Sequence, residues 1–257
     1  MIDKKIKTDI LTYLTALEKE KRIKILYACE SGSRAWGFPS TDSDYDVRFF
    51  YMHAPEWYFS ILDRKDTMEN VGPVLDFNGW ELRKTLRLFM KSNASLIEKV
   101  QSPIVYKENG VFREALNGLM QDYFNPKACM FHYYSLAHNF YEEALQKEKV
   151  KLKKYFYAIR SILAARWIRI HKEVAPMEFS TLRSVMEDKN WNDLVEDWLE
   201  KKISGTEGTL VNPSKLINNF IKIELEEGKI YADALPRYEK TPPEALDELY
   251  RKLIKNE

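Results

Sequence analysis

Residues 29–50 read CESGSRAWGFPSTDSDYDVRFF, and this stretch limits what the chain can fold into more than any other. An apolar run, Ile23 to Cys29, leads into the small-residue turn Ser31-Gly32-Ser33; after a ten-residue spacer, Asp44-x-Asp46 opens a second apolar run, Val47 to Met52. A Gly-Ser turn at the start of a helix lets backbone N–H groups approach a phosphate closely, and the helix dipole adds positive potential there. Ser33 contributes a hydroxyl donor. Asp44 and Asp46, two apart on an extended chain, share one face of a sheet with Cβ atoms about 6–7 Å apart. Two carboxylates on one face can hold one or two Mg²⁺ ions, Mn²⁺ being the alternative, in sites that share oxygen ligands with substrate phosphates. In-line transfer of a phosphoryl or nucleotidyl group is the chemistry that such a pattern serves.

Other readings of the same residues fail on detail. Asp42-x-Asp44-x-Asp46 begins like a calcium loop, but Val47 stands where that loop needs Gly and His53 where it needs Glu. Gly32 and Gly37 have the spacing of a P-loop, but Phe38 and Pro39 replace its Lys and Ser/Thr. An ordinary surface turn from Pro39 to Asp44, rich in turn formers, stays open as the bland alternative.

The 257 residues carry a net charge of +1, so a nucleic-acid partner would need a local basic patch rather than a global field. Two cysteines, Cys29 and Cys129, argue against a disulfide framework or zinc cluster and favour a reducing cytoplasm. No apolar run reaches the length of a membrane span, and MIDKKIKTDI lacks the apolar core of a signal peptide, so no membrane association is expected.

Helical spacing of Ile6, Ile10, Leu14 and Leu17 predicts an amphipathic helix over 4–21, followed by a strand over Ile23 to Cys29 and another over Val47 to Met52. Arg48 shares the face of the aspartates, as a partner for a carboxylate or a phosphate or as a local charge balance. After a helical turn from Pro55 to Leu62 and a polar stretch, a strand is expected to end at Asp76 to Asn78. Asp76, between Leu75 and Phe77, is either a buried carboxylate with a charged partner or a strand-end residue facing water. Helices over 81–92, from Asn93 and over 110–124 complete a first domain, residues 1–124, with an edge strand over Ile104 to Tyr106. The basic face of the first of these helices, Arg83, Lys84, Arg87 and Lys91, is either solvated or laid along a phosphate backbone.

From Pro126 the chain becomes helical, and residues 125–257 form the second domain. A helix over 127–147 is expected, then one over 150–173 with Leu152, Phe156, Ile159, Leu163 and Ile170 inward. Beside that stripe run Lys153, Tyr157, Arg160, Ala164 and Trp167. Between Lys147 and Lys172 stand six Lys and three Arg against one Glu. Such a face is either solvated or suited to a triphosphate and a base. Residues 179–257 read as short helices without evident chemistry.

Gly32-Ser33, the ten-residue spacer and Asp44-x-Asp46 entering a strand resemble the signature of the DNA polymerase β-type nucleotidyltransferase superfamily. ESGSRAWGF…SDYDVRF, LDFNGWELRK, LIEKVQSPIVY and LKKYFYAIRSILAARWI, colinear from about Cys29 to Ile170, are more narrowly similar to a bacterial and phage family of nucleotidyltransferases, YcgL-like or RlaP. That resemblance implies an α+β fold, a mixed-sheet catalytic domain followed by a mainly helical domain for nucleotide and substrate. It implies Asp76 as the third catalytic and metal-binding carboxylate beside Asp44 and Asp46. It assigns the nucleoside triphosphate to Gly32, Ser33 and a choice among Lys153, Lys154, Tyr157 and Arg160. The acceptor it implies is an RNA 3′ end in a repair pathway; a protein hydroxyl, a small molecule, or nucleotide sensing without turnover are the alternatives.

Overall fold

In the computed structural model, residues 2–239 and 241–255 are described. Contacts divide the chain into two compact units: Met1–Gly32, Asp44–Tyr123 and Lys240–Glu257 make the first, Ser33–Ser43 with Phe124–Glu239 the second.

The first unit opens on α1 (Lys4–Lys21), capped by the Asp3 carboxylate, which accepts from the N–H groups of Lys5 and Ile6. β1 (Ile23–Glu30) follows, then α2 (Gly32–Trp36), whose remaining residues belong to the second unit. β2 (Tyr45–His53), α3 (Pro55–Tyr58), β3 (Thr67–Val71), β4 (Leu75–Glu81), α4 (Leu82–Met90), α5 (Ala94–Val100), β5 (Val105–Glu108) and α6 (Gly110–Tyr123) complete the run. The five strands lie in the order β3-β4-β2-β1-β5, and the sheet is mixed because β2 and β4 run parallel while the other pairs are antiparallel.

β2 is central, so it must be apolar on both faces, and Val47, Phe49, Phe50, Tyr51 and Met52 are all buried. One face receives Ile10, Leu14 and Leu17 of α1, which pack with Val47, Phe49, Tyr51 and Phe77; each such aliphatic side chain contributes about 1.5–3 kcal/mol. On the other face Phe50 meets Tyr27, Trp80 and Phe112.

β4 departs from expectation: it begins at Leu75, so Asp76 opens the strand rather than closing it. The Gly72-Pro73 turn, in which Gly72 N donates to Leu75 O, belongs to the β3–β4 hairpin. β3 went unread because TMENV is a half-exposed polar edge strand with no apolar period. Within the first unit, Arg83 of α4 donates to the Tyr250 hydroxyl and Lys84 pairs with Asp66, so half of the basic face of that helix is satisfied internally.

The second unit contains α7 (Pro126–Phe140), which runs into a π-helical turn over Tyr141–Leu145, then β6 (Val150–Lys151), α8 (Leu152–His171), α9 (Phe179–Arg183), α10 (Lys189–Ser204), β7 (Leu210–Val211) and α11 (Lys215–Ala234). α12 (Glu244–Lys255) returns to the first unit. α8 is the hub of the second unit, buried nearly all round, which corrects the two-stripe picture: Arg160 and Ala164 are inside with the apolar stripe, while Ile170 is 49% exposed. Residues 179–234 hold two long helices, α10 and α11, rather than a series of short ones.

Candidate active site

Gly32 follows β1 with φ +62°, a left-handed conformation, and its bare Cα lies against Asp46. A Cβ there would stand 2.2 Å from Asp46 Oδ2. The approach is fixed by backbone on both sides. Ser31 N donates to Asp46 O at 2.9 Å, and Asp46 N donates to the buried Glu30 carboxylate at 2.9 Å. Glu30 in turn accepts from the Tyr106 hydroxyl.

Across the parallel β2–β4 pair, Asp46 and Asp76 are register partners. Between them sits Arg48: its Nη2 donates to Asp46 Oδ1 at 2.7 Å and to Asp76 Oδ2 at 2.8 Å, while Nη1 donates to the carbonyls of Val47 and Asp76 at 3.2 and 3.0 Å. Of the roles open to Arg48, carboxylate partner is the one displayed. Burial raises the Asp46 carboxyl above its ordinary value; Arg48 opposes this, and the charges of Asp44 and Asp76 add to it. Asp44 is exposed and precedes the strand, which starts at Tyr45, so it enters the group from a turn rather than from the pleat. Among the described residues, no three His, Cys, Asp or Glu side chains are gathered as a metal centre.

The donor chemistry nevertheless fits a hard divalent cation. Asp44 and Asp76 both act electrostatically on Asp46, the missing Cβ of Gly32 spares Asp46 Oδ2 a clash, and the Asp46–Asp76 pair already holds a cationic group.

Below the carboxylates, Lys99 of α5 is buried, its ammonium 3.9 Å from the Trp80 ring centre and bonded to Ser95 Oγ at 2.7 Å. Burial lowers its pKa to about 8. A base held below its unfolded value binds fewer protons when folded, so Lys99 imposes a cost that is relieved as pH rises from about 8 toward the ordinary lysine value. Denaturant midpoints across that window should rise in the wild type, and the rise should flatten in Lys99→Met; an unchanged slope in the variant would place the titration elsewhere.

In the second unit, Trp36 and Phe38 are packed onto α8, and Ser33 Oγ donates to Ser43 Oγ at 3.3 Å. Arg160 lies with its guanidinium carbon 4.4 Å from the Trp36 ring centre and donates to Met177 O at 3.1 Å, and Tyr157 meets Trp36 edge-on at 5.3 Å. At 4% exposure, Arg160 is a support for the signature segment within this unit. Lys154 lies 5.0 Å over the Phe140 ring, and Lys153 pairs with Glu207 at 3.2 Å. Much of the basic stretch is likewise engaged: Arg166 and Arg169 clamp the buried Glu224 of α11, and Lys149 donates to Asn212.

Glu207 and Lys202 carry a role that the sequence did not disclose. Glu207 accepts from the Ser43 hydroxyl and, at 3.0 Å, from Lys202, whose ammonium also donates to Ser40 Oγ. Asp42 accepts from Glu207 N at 2.7 Å, and Thr41 N donates to Gly205 O at 3.0 Å. The spacer between Ser33 and Asp44 is thus clasped to the end of α10. Burial works against the charge on Glu207, yet bonds from Ser43, Lys202 and Lys153 outweigh it and bring the carboxyl down to about 2. Glu207→Ala would strand the buried Lys202, so it should cost about 3–5 kcal/mol in denaturant unfolding; a loss below about 1 kcal/mol, the range of exposed pairs, would show the clasp to be ornamental.

The model of the RlaP family, described as the RNA repair pathway DNA polymerase beta family, matches residues 6–252. YcgL of Bacillus subtilis (strain 168), an uncharacterized protein, is 45% identical over 223 residues, 86% of this chain and 86% of its own. Among solved structures, a nucleotidyltransferase-like protein from Exiguobacterium sibiricum 255-15 is similar over 95% of this chain and 80% of its own, at 11% identity and a TM-score of 0.30. With the mixed sheet, the helical region and a match along nearly all of its length, the chain belongs to the RlaP family, the RNA repair pathway DNA polymerase beta family, and so to the nucleotidyltransferase-like class of enzymes.

Proposed function

We propose that this protein is a Mg²⁺-dependent nucleotidyltransferase that moves a nucleoside monophosphate from a nucleoside triphosphate to an acceptor hydroxyl, the 3′ end of an RNA under repair. The observation that carries the reading is the in-register pair Asp46–Asp76 beside the bare Cα of Gly32. Asp44, Asp46 and Asp76 would hold the ions. Once bound, Mg²⁺ supplies charge neutralisation at the α-phosphate and a lower pKa for the acceptor hydroxyl.

The remaining roles fall to the chain itself. The Gly32 backbone and the Ser33 hydroxyl bind the outer phosphates, and Glu30 holds the strand carrying Asp46 in place through Asp46 N. Within the helical unit, Arg160 braces Trp36 of the signature segment. In the reaction, the acceptor hydroxyl loses its proton to water, its oxygen bonds to the α-phosphorus, and the α–β phosphoanhydride breaks to release pyrophosphate. A cytoplasmic setting suits the thiols of Cys29 and Cys129; no helix among the described residues is long and apolar enough to cross a membrane.

The test is incubation of the purified protein with Mg²⁺, each α-labelled ribonucleoside triphosphate and a single-stranded RNA, with products resolved on one denaturing gel. Label on the RNA is expected. Label on protein alone would replace the RNA acceptor with a protein one. One observation favours a second reading, nucleotide binding without turnover: Arg48 already occupies an oxygen of each paired carboxylate. That reading predicts tightly bound, intact triphosphate and no labelled product.

A further inference from the structure

Arg48 occupies an unusual place. A single guanidinium nitrogen, Nη2, bridges the two carboxylates that face each other across β2 and β4, and the side chain is only 17% exposed. Its other terminal nitrogen is anchored on two backbone carbonyls of the same strands, Val47 O and Asp76 O. The planar guanidinium is therefore divided, Nη1 on backbone and Nη2 on carboxylate. Turning the whole group through its side-chain torsions takes Nη2 off the carboxylates without breaking a backbone–backbone hydrogen bond.

Two carboxylates in register on adjacent strands repel one another, and the Arg48 guanidinium between them offsets that repulsion. A divalent cation drawing on Asp46 Oδ1 and Asp76 Oδ2 would compete with Nη2 for the same oxygens. A guanidinium displaced from carboxylate has an equivalent partner in phosphate, which matches its donor geometry equally well.

We infer that Arg48 couples metal binding to triphosphate binding: it holds Asp46 and Asp76 while the site waits, and transfers to a phosphate oxygen of the incoming nucleotide as the ion takes its place. The inference deepens the nucleotidyltransferase reading and rests on it. Its consequence is that neither ligand binds well alone. The metal without nucleotide must dislodge a cation that has nowhere to go, and the nucleotide without metal must strip two carboxylates of the guanidinium that bridges them. Together they exchange partners, which makes each raise the affinity for the other by the same factor.

The test measures Mn²⁺ binding by electron paramagnetic resonance, with and without a non-hydrolysable triphosphate analogue, in full-length wild type and in Arg48→Gln and Arg48→Lys. In the wild type the analogue should tighten Mn²⁺ binding by about 10–100-fold, the scale of one close charge pair. In Arg48→Gln, Mn²⁺ alone should bind tighter than in the wild type and the coupling should fall by about 10-fold, leaving only what direct bonds between ion and phosphate supply. Arg48→Lys, which keeps the charge, should recover part of the coupling, and circular dichroism with a melting curve checks that both variants are folded. Coupling in Arg48→Gln equal to that in the wild type would overturn the inference, as would Mn²⁺ binding that weakens in Arg48→Gln, which would make Arg48 an orienter of the ligands. A wild type that binds neither Mn²⁺ nor the analogue would instead remove the nucleotidyltransferase reading itself.

Discussion

Asp46→Asn should abolish turnover while leaving the protein folded. The amide keeps the shape of the side chain and removes the charge that a divalent ion and a phosphoryl transition state both require. Loss of such an electrostatic group costs on the order of 10²–10³-fold in kcat, and more if the ion is lost with it. Stability should move the other way. A carboxyl whose folded pKa is raised destabilises the folded state once it ionises, so above the ordinary aspartate range the variant is spared that cost. The gain should vanish as pH falls through the unfolded pKa, because there both proteins are neutral at this position. A folded, inactive variant that melts no lower than the wild type at neutral pH is the expected result. An unfolded variant would mean that Asp46 holds the sheet together rather than serving chemistry.

Gly32→Ala should be nearly as damaging for a different reason. The new methyl would need the space of Asp46 Oδ2, 2.2 Å away, and the residue would have to hold φ +62°. The left-handed backbone alone costs about 1–2 kcal/mol for an L-residue. The larger effect is positional: either the carboxylate or the turn must shift by the better part of an ångström, and a misplacement of about 1 Å can cost on the order of 10²-fold in rate. Gly37→Ala is the matched control, since Gly37 also has positive φ, +95°, but a Cβ there meets nothing within 4 Å. Activity should therefore survive in Gly37→Ala at comparable loss of melting temperature. Equal activity loss in both would mean that backbone strain, and not the crowding of Asp46, explains the effect.

Much of the first unit could be read from sequence because local patterns and tertiary burial agree there. α1 shows its stripe of Ile10, Leu14 and Leu17, β1 and β2 are continuous apolar runs, and α4 begins where Glu81 caps it through the N–H groups of Arg83 and Lys84. The family signature was legible for the same reason, being confined to one loop and two strand ends. What escaped was long-range. Glu30 gave no sign of holding Asp46 N, because a Glu closing an apolar strand looks like the first polar residue after it. Lys202 and Glu207 sit among ordinary surface charges in the sequence, and only folding brings them to Ser40 and Ser43. The basic stretch around α8 read as a triphosphate-binding or solvent face because its counter-charges, Glu207 and Glu224, are supplied from distant parts of the chain. Charge counted along a sequence does not reveal charge cancelled across a fold.

The return of α12 to the first unit has a consequence for how the protein comes into being. Leu246, Leu249 and Leu253 of that helix are buried, Tyr250 receives Arg83, and Tyr123 donates to Pro242 O at 2.6 Å. A chain growing from the ribosome has therefore made its whole signature loop long before it owns the helix that completes the sheet unit, and must keep the apolar side of α4 from sticking elsewhere in the meantime. Translation interrupted anywhere before residue 244 yields a polypeptide with every proposed site residue and an unfinished platform beneath them. Such a fragment, residues 1–239, should be recovered as aggregate or bound to chaperone, and adding a synthetic α12 peptide should restore its solubility. If the fragment alone were soluble and cooperatively folded, α12 would be dispensable packing. Otherwise, the synthesis of α12 is itself the step that brings the sheet unit into working order.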